Sequence, residues 1–276
     1  MKSSKAFGVL AAAAFSIFGA HAASATIVTQ WAFTATQASP VNSPAPSTGT
    51  GTAVSLGMTN SYTYAGGETT PTTTNDDITS VTTTAFGAQD AWRIRGTNNK
   101  SGQPGNGWNN SAPNYTQGAE FEVPTTGFNN ISIGFDWFTT TQGVGNMQVR
   151  YTLDDTQAVP VFTNLGSDFV ATPSDEFGGS SATEPNISFP LPAAAYNDPN
   201  FAFEMVSVQP VSTDSNFSGV TPGDYASAAG GNYNNSSGNW SFNNITVNGT
   251  AVPEPTSASL LGLAGLGLLR RRRTAK

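Results

Sequence analysis

With 276 residues, no cysteine, a single histidine and a formal net charge of −7, the chain excludes several kinds of protein at once. No disulfide can brace it, so a hydrophobic core has to carry the fold. Its acidity disfavours polyanionic partners, nucleic acid first among them.

The chain opens as a signal peptide. Lys2 and Lys5 make a basic start, Phe7 to Ala20 is apolar, and Ala20-His21-Ala22 fits a small-x-small cleavage site, with Ala23-Ser24-Ala25 as a second. Residues 1–25 therefore stand outside the fold, and export is expected. Their removal takes away His21, the one histidine. What remains cannot run Ser-His-Asp or Cys-His catalysis, nor build the usual zinc sites. Any reaction would fall to carboxylates, tyrosines or a hard cation held by oxygen. Residues 26–251 keep 17 acidic side chains against four basic ones (Arg93, Arg95, Lys100 and Arg150), a net charge of −13. Solubility accounts for such a charge; attraction for calcium is the alternative. About 226 residues suffice for one domain with a sizeable core.

Along the body, turn residues separate short apolar runs, and good helix-forming runs are missing. Ile27 to Phe33 reads as the first strand, and Gln37 to Thr52 as a Pro/Ser/Thr/Gly loop. Ile78 to Phe86 reads as a strand closing a Thr-rich stretch. Just before it lie Asp76 and Asp77, an adjacent pair able to offer oxygen to calcium. Ala91 to Arg95 alternates, with Trp92 and Ile94 on one face and Arg93 and Arg95 on the other. Lys100 to Tyr115 is a long Gly/Asn loop carrying Trp108 and Asn109. A flat ring flanked by amides suits a sugar: the ring stacks and the amides bond hydroxyls. Tyr233, in Gly231-Asn232-Tyr233-Asn234-Asn235, has the same setting. The competing role for these rings, and for Trp240, is to fold back and cap the core.

Ala119 to Val123 reads as a strand. Glu120 and Glu122 are two apart on it and share a face. Paired carboxylates are what glycoside hydrolysis needs, one as acid and one as base or nucleophile. A solvated outer face produces the same pattern. The next two segments read as a hairpin. Ile131, Ile133, Phe135 and Trp137 alternate with polar or small residues, as do Met147, Val149, Tyr151 and Leu153. A turn centred on Gly143 would pair Trp137 with Val149, Phe135 with Tyr151 and Ile133 with Leu153, and set Asp136 opposite Arg150. Asp154-Asp155 and Asp175-Glu176 are further adjacent acidic pairs, the first also a calcium candidate. Phe201 to Val208 and Trp240 to Val247 read as strands, and Ala193 to Tyr196 and Asp224 to Ala228 as short helical turns. The fold class expected is all-β: a two-sheet β-sandwich, of jelly-roll type. Eleven Asn-x-Ser/Thr sequons occur, at Asn99, Asn109, Asn114, Asn130, Asn186, Asn216, Asn234, Asn235, Asn239, Asn244 and Asn248.

The last 25 residues carry the sharpest signal. Val252-Pro253-Glu254-Pro255 leads into Thr256 to Leu269, almost all Leu, Gly, Ala and Ser, and then into Arg270, Arg271, Arg272 and Arg273. As a helix, 14 residues cover roughly 21 Å of a hydrocarbon layer about 30 Å thick. Arginines abutting the run can snorkel to the headgroups and lengthen its span. Positive charge stays on the cytoplasmic side, which leaves residues up to Val252 outside. A buried core helix is disfavoured by Gly262, Gly265 and Gly267, poor helix residues in water.

This tail resembles the sorting signal of PEP-CTERM proteins, the substrates of exosortases in Gram-negative bacteria that make extracellular polysaccharide. The body is similar, more loosely, to the β-rich ectodomains such proteins carry. The resemblance implies recognition at Pro253, Glu254 and Pro255, then removal of the tail. It divides the chain into a signal peptide (1–25), a β-sandwich ectodomain (26–251) and a sorting signal (252–276). Three functions follow as expectations. The first is a non-enzymatic surface or matrix protein, anchored in the membrane before processing and associated with extracellular polysaccharide. The second is a carbohydrate-binding module using Trp108, Asn109 and Tyr233. The third is a glycoside hydrolase around Glu120 and Glu122. No cofactor is expected beyond calcium.

Overall fold

The computed structural model describes residues 24–33, 43–57, 77–83, 87–94, 108, 112–171, 181–211, 219–233 and 238–252. Twelve strands run through them: β1 (Ala25–Trp31), β2 (Thr52–Leu56), β3 (Asp77–Thr83), β4 (Gly87–Ile94), β5 (Gly118–Glu122), β6 (Phe128–Thr140), β7 (Asn146–Thr152), β8 (Thr163–Asn164), β9 (Phe169–Val170), β10 (Ser181–Pro190), β11 (Ala202–Ser207) and β12 (Trp240–Ala251). The helical turn expected at Ala193 is one short 3-10 turn, Ala193–Ala195.

The strands form two antiparallel sheets. One has the order β10-β6-β12-β4-β3, with β1 also pairing β12; the other has the order β2-β5-β11-β7-β8, with β9 also on β7. The long β12 makes the first arrangement possible. Its first three residues pair with β4, its later ones with β1, and β6 follows it on the other side. The sheets face each other across rings. Trp31 of β1 and Phe121 of β5 meet edge to face at 5.1 Å, Trp92 of β4 meets the same Phe121 at 6.0 Å, and Phe121 stacks on Phe203 of β11 at 5.1 Å. The all-β, two-sheet expectation therefore holds.

The hairpin does not. β6 pairs β10 and β12, while β7 pairs β11, β8 and β9, so the two strands lie in different sheets. Their link, residues 141–145, is an arch across the core edge. Asp136 and Arg150 are consequently not partners. Asp136 accepts a hydrogen bond from Asn244 Nδ2 at 2.6 Å, and Arg150 binds Glu204. The reason is geometric. Alternation says which face of a strand is apolar, and both strands do turn Ile131, Ile133, Phe135, Trp137, Met147 and Val149 inward. Two inward faces can lie side by side in one sheet or opposite each other in two.

What holds the arch is the segment 225–233. Ala228 N donates to Gly143 O, Gly145 N donates to Ala226 O, and Trp240 Nε1 donates to Val144 O at 2.7 Å. The Asp224 to Ala228 stretch, expected as a helical turn, is accordingly extended: Ser227 bridges Val144 and Ala226 bridges Asn232. Its amides and carbonyls go to the arch, which a helix would not allow. Four strands of the structure, β2, β10 and the two-residue β8 and β9, had no counterpart among the expected elements. Among the described residues no helix is long and apolar enough to cross a membrane, and Thr256 to Leu269 lies outside them.

Candidate functional site

The outer face of the second sheet carries the constellation with the most chemistry. Register places Glu120 of β5 directly opposite Glu204 of β11, and Glu204 opposite Arg150 of β7. Glu122 lies one pleat along from Glu120 on the same face, beside Thr52 of the edge strand β2. Thr52 Oγ1 donates to Glu122 Oε2 at 2.7 Å. The shared face expected for Glu120 and Glu122 is thus present, on a face that is partly covered.

The cover comes from the loop after β7. Asp154 accepts from Thr156 N and from Gln157 Nε2, closing a tight turn. The next residue, Asp155, donates its amide to Asn200 O at 3.1 Å. That turn delivers the Asp155 carboxyl to the two glutamates. One carboxyl oxygen from each of Glu120, Glu122 and Asp155 lies within 4.8 Å of the others. Further along the sheet, Arg150 is held between rings, its guanidinium 4.4 Å from the Tyr115 centroid and 5.5 Å from that of Phe162. Arg150 Nη2 donates to Phe162 O, and Nη1 meets Glu204 Oε1 at 2.7 Å.

Crowding raises the proton affinity of this group. Burial pushes Glu120 up to about 7, with Asp155, Glu204 and Glu122 adding to the effect. Burial also pushes Glu204 up to about 7, although Arg150 pulls the other way. Asp155 is raised by burial, then by its hydrogen bond to Glu122 and by the charges of Glu122 and Asp154. Asp154 moves down, because Thr156 and Gln157 donate to its ionised form.

Such a set can share protons or contribute oxygens to a hard cation. A pocket of 340 Å³ opens beside the cluster, lined by Thr52, Glu122, Pro124, Asp155 and Asn200 among others. Glu122 faces it and Glu120 does not line it.

The other sequence candidates fall elsewhere. Trp108 and Tyr233 are interior, at 0% and 2% exposure. The sugar-stacking surface expected there is not present, because both rings close the end of the core. Trp108 packs on Trp240 at 4.3 Å, and the Tyr233 hydroxyl bonds the Trp108 backbone. Asp77 opens β3, in the other sheet from Glu120 and Glu122. Asp76, Asn109, Asp175, Glu176, Pro253 to Pro255 and Arg270 to Arg273 lie outside the described residues. Glu204 went unnoticed in the sequence, although a glutamate in the middle of an apolar strand is a signal: a buried charge needs a partner.

The raised groups set a pH dependence. A carboxyl whose proton affinity is higher in the folded than in the unfolded chain stabilises the fold below its unfolded value. That stability is lost as pH rises through the folded value. For Glu120 and Glu204 the window runs from 4.5 to about 7. The melting temperature is expected to fall between pH 5 and pH 8, and to fall less in Glu120→Gln. A wild-type curve that stays level or climbs over that range would contradict the assignment.

No family model matches the chain, and no curated protein matches it in sequence. Among solved structures it is similar to the K3 cleaved adhesin domain of Lys-gingipain (Kgp) from Porphyromonas gingivalis w83, at 9% identity and a TM-score of 0.26, over 58% of this chain and 73% of that one. A likeness of that order carries no argument.

Proposed function

We propose that this is an exported, non-enzymatic protein of the cell surface or extracellular matrix. Its leader takes it through the inner membrane of a Gram-negative bacterium. Its tail, from Val252 through Pro253, Glu254 and Pro255 to Arg270–Arg273, anchors it and hands it to an exosortase-type enzyme. The β-sandwich, which we infer to be of the jelly-roll class from strands that cross repeatedly between its sheets, then faces the extracellular polymer.

One observation carries the non-enzymatic part of this reading. Among the described residues, the carboxyl groups that converge are engaged with one another, and neighbouring Glu204 with Arg150, on a partly covered sheet face. A surface of net charge −13 over residues 26–251 suits a hydrated matrix. The loop rings support it too, since Trp108, Tyr233 and Trp240 are in the core.

The test is fractionation of a polysaccharide-producing Gram-negative host expressing the full chain beside a variant with Arg270 to Arg273 replaced by alanine. The wild type is expected in the surface or matrix fraction, with and without calcium, and the variant in the cell envelope. Wild-type protein in the cytoplasm, or identical distribution of the two, would sink the proposal.

A further inference from the structure

We infer, independently of the sorting tail, that the turn at residues 154–157 is a proton-held flap: it walls the pocket beside Glu122 while Asp155 and Glu122 share a proton, and it lifts away when that proton leaves. The opening is local and leaves the sandwich beneath it intact.

The pocket has a fixed side and a loosely held side. On the fixed side, Thr52 and Glu122 are register partners on β2 and β5. Asn200 lies on a connection tied down in series. Its amide donates to Asp198 Oδ1 at 2.8 Å, and Asp198 N donates to Oγ1 of the buried Thr125 at 2.9 Å. The other side is formed by Asp155 and Thr156 of the turn. That turn is closed on itself by Asp154, which accepts from Thr156 N and Gln157 Nε2. Among the described residues, its one backbone hydrogen bond to another segment runs from Asp155 N to Asn200 O, at 3.1 Å. Apolar burial does not pin it either: Leu153 before it and Val159 after it are exposed, Val159 by 79%. A segment with so few ties opens at little cost in free energy.

Besides that one bond, carboxyl groups hold the turn down. Asp155 hydrogen-bonds Glu122. Ionised carboxylates only accept, so this bond exists only with a proton on one partner. Glu122 already accepts from Thr52 Oγ1, which leaves Asp155 as the donor. Once the proton leaves, the same closeness works against the turn. The oxygens of Glu120, Glu122 and Asp155, within 4.8 Å of one another, become like charges. Asp154 on the turn and Glu204 on β11 add to them. Arg150 of β7, the cation on this face among the described residues, is taken by Glu204 and by Phe162 O.

The direction of the switch follows. Burial and these neighbours hold the protons on Asp155 and Glu120 above the ordinary carboxylate range, Glu120 at about 7. Lifting the turn returns Asp155 to water, where it releases its proton more readily. The closed form therefore binds more protons than the open one. It is favoured in acid and gives way as the pH rises toward about 7.

The experiment is amide hydrogen exchange of the purified full chain, followed by NMR between pH 5 and pH 8 and corrected for the intrinsic rate at each pH. EDTA is present, so that no cation takes the place of the proton. Two amides report: Asp155 N, bonded to Asn200 O, and Val123 N, bonded to Phe201 O in the fixed wall. Protection of the Asp155 amide is expected to fall as pH rises, by about tenfold for each pH unit over which the open form has released one more proton. The Val123 amide is expected to keep its protection. Asp155→Asn and Glu122→Gln each put a permanent N–H donor in place of the shared proton. In both variants the amide at position 155 is expected to stay as protected at pH 8 as at pH 5. Wild-type protection that does not change between pH 5 and pH 8 would overturn the flap. So would a loss at Val123 as large as that at Asp155, because the sheet would then be opening as a whole. Variants that lose protection as steeply as the wild type would overturn the role of the proton.

Discussion

Replacing Arg150 with methionine is expected to destabilise the protein at pH 8 by about 3–5 kcal/mol, the loss typical when one partner of a buried ion pair is removed. Glu204 has a side chain only 5% exposed and is 2.7 Å from Arg150 Nη1. Directly opposite it on the other side is Glu120, another carboxyl. Without Arg150, two acidic groups would face each other across the strands with no cation beside Glu204. The methionine would keep most of the stem packed against Tyr115 and Phe162, so the loss would report charge rather than volume. Two features separate this cause from a general packing defect. The loss should shrink at pH 5, where Glu204 can take up a proton, since its ionisation is already pushed up to about 7. Adding Glu204→Gln to the variant should restore much of the stability at pH 8. Urea unfolding of the three proteins at both pH values is the measurement. A loss below about 1 kcal/mol at pH 8, or one that is the same at pH 5, would show that Arg150 does not hold the acidic face together.

Trp240→Ala is the second large effect expected, about 3–5 kcal/mol from the deletion of a buried aromatic. Trp240 is the centre of the aromatic cluster at the arch end. It lies 4.3 Å from Trp108, 5.3 Å from Trp137 and 6.1 Å from Phe242, ring centre to ring centre. Its Nε1 also donates to Val144 O in the link between the sheets. Alanine would empty the cluster and loosen the arch together. Trp240→Phe separates the two contributions, because it keeps a ring and loses the donor. Its cost should be smaller, about 1–3 kcal/mol, the more so because Thr139 Oγ1 also donates to Val144 O at 3.3 Å. Equal costs for phenylalanine and alanine would mean that the ring packing contributes little.

These two residues also show how far the sequence could be read. Trp240 stood at the head of a recognisable strand, and capping of the core was already the favoured role for it. For Trp108 and Tyr233 the same glycine and asparagine neighbours were compatible with a ring on the surface or in the core. Flexible loops let a ring go either way, and the apolar end of the sandwich took both. Glu120 and Glu122 were legible as a same-face pair, because period-two geometry is a local property of one strand. Asp155 was legible only as one half of a turn. Nothing local says that its loop folds back over β5, since the tie that brings it there is a hydrogen bond to Asn200, on a connection distant in sequence. Arg150 was noticed and given the wrong partner. Its acidic neighbour depended on whether β6 and β7 share a sheet.

The sequence by itself determined the strand-rich composition, the absence of disulfide and thiol chemistry, and the inward face of most of the alternating strands. Each of these follows from residue identity or from a periodicity spanning a few residues. Only the tertiary structure decided which strands pair, that the link after Thr140 is an arch, and that Glu120, Glu122 and Asp155 converge while Glu204 pairs with Arg150. It also decided that β12 lies between β1 and β6. The physical reason is one of range. Side-chain alternation is set by backbone geometry within a strand. Pairing is set by which of several equally apolar faces can bury each other best, a choice the whole chain makes at once.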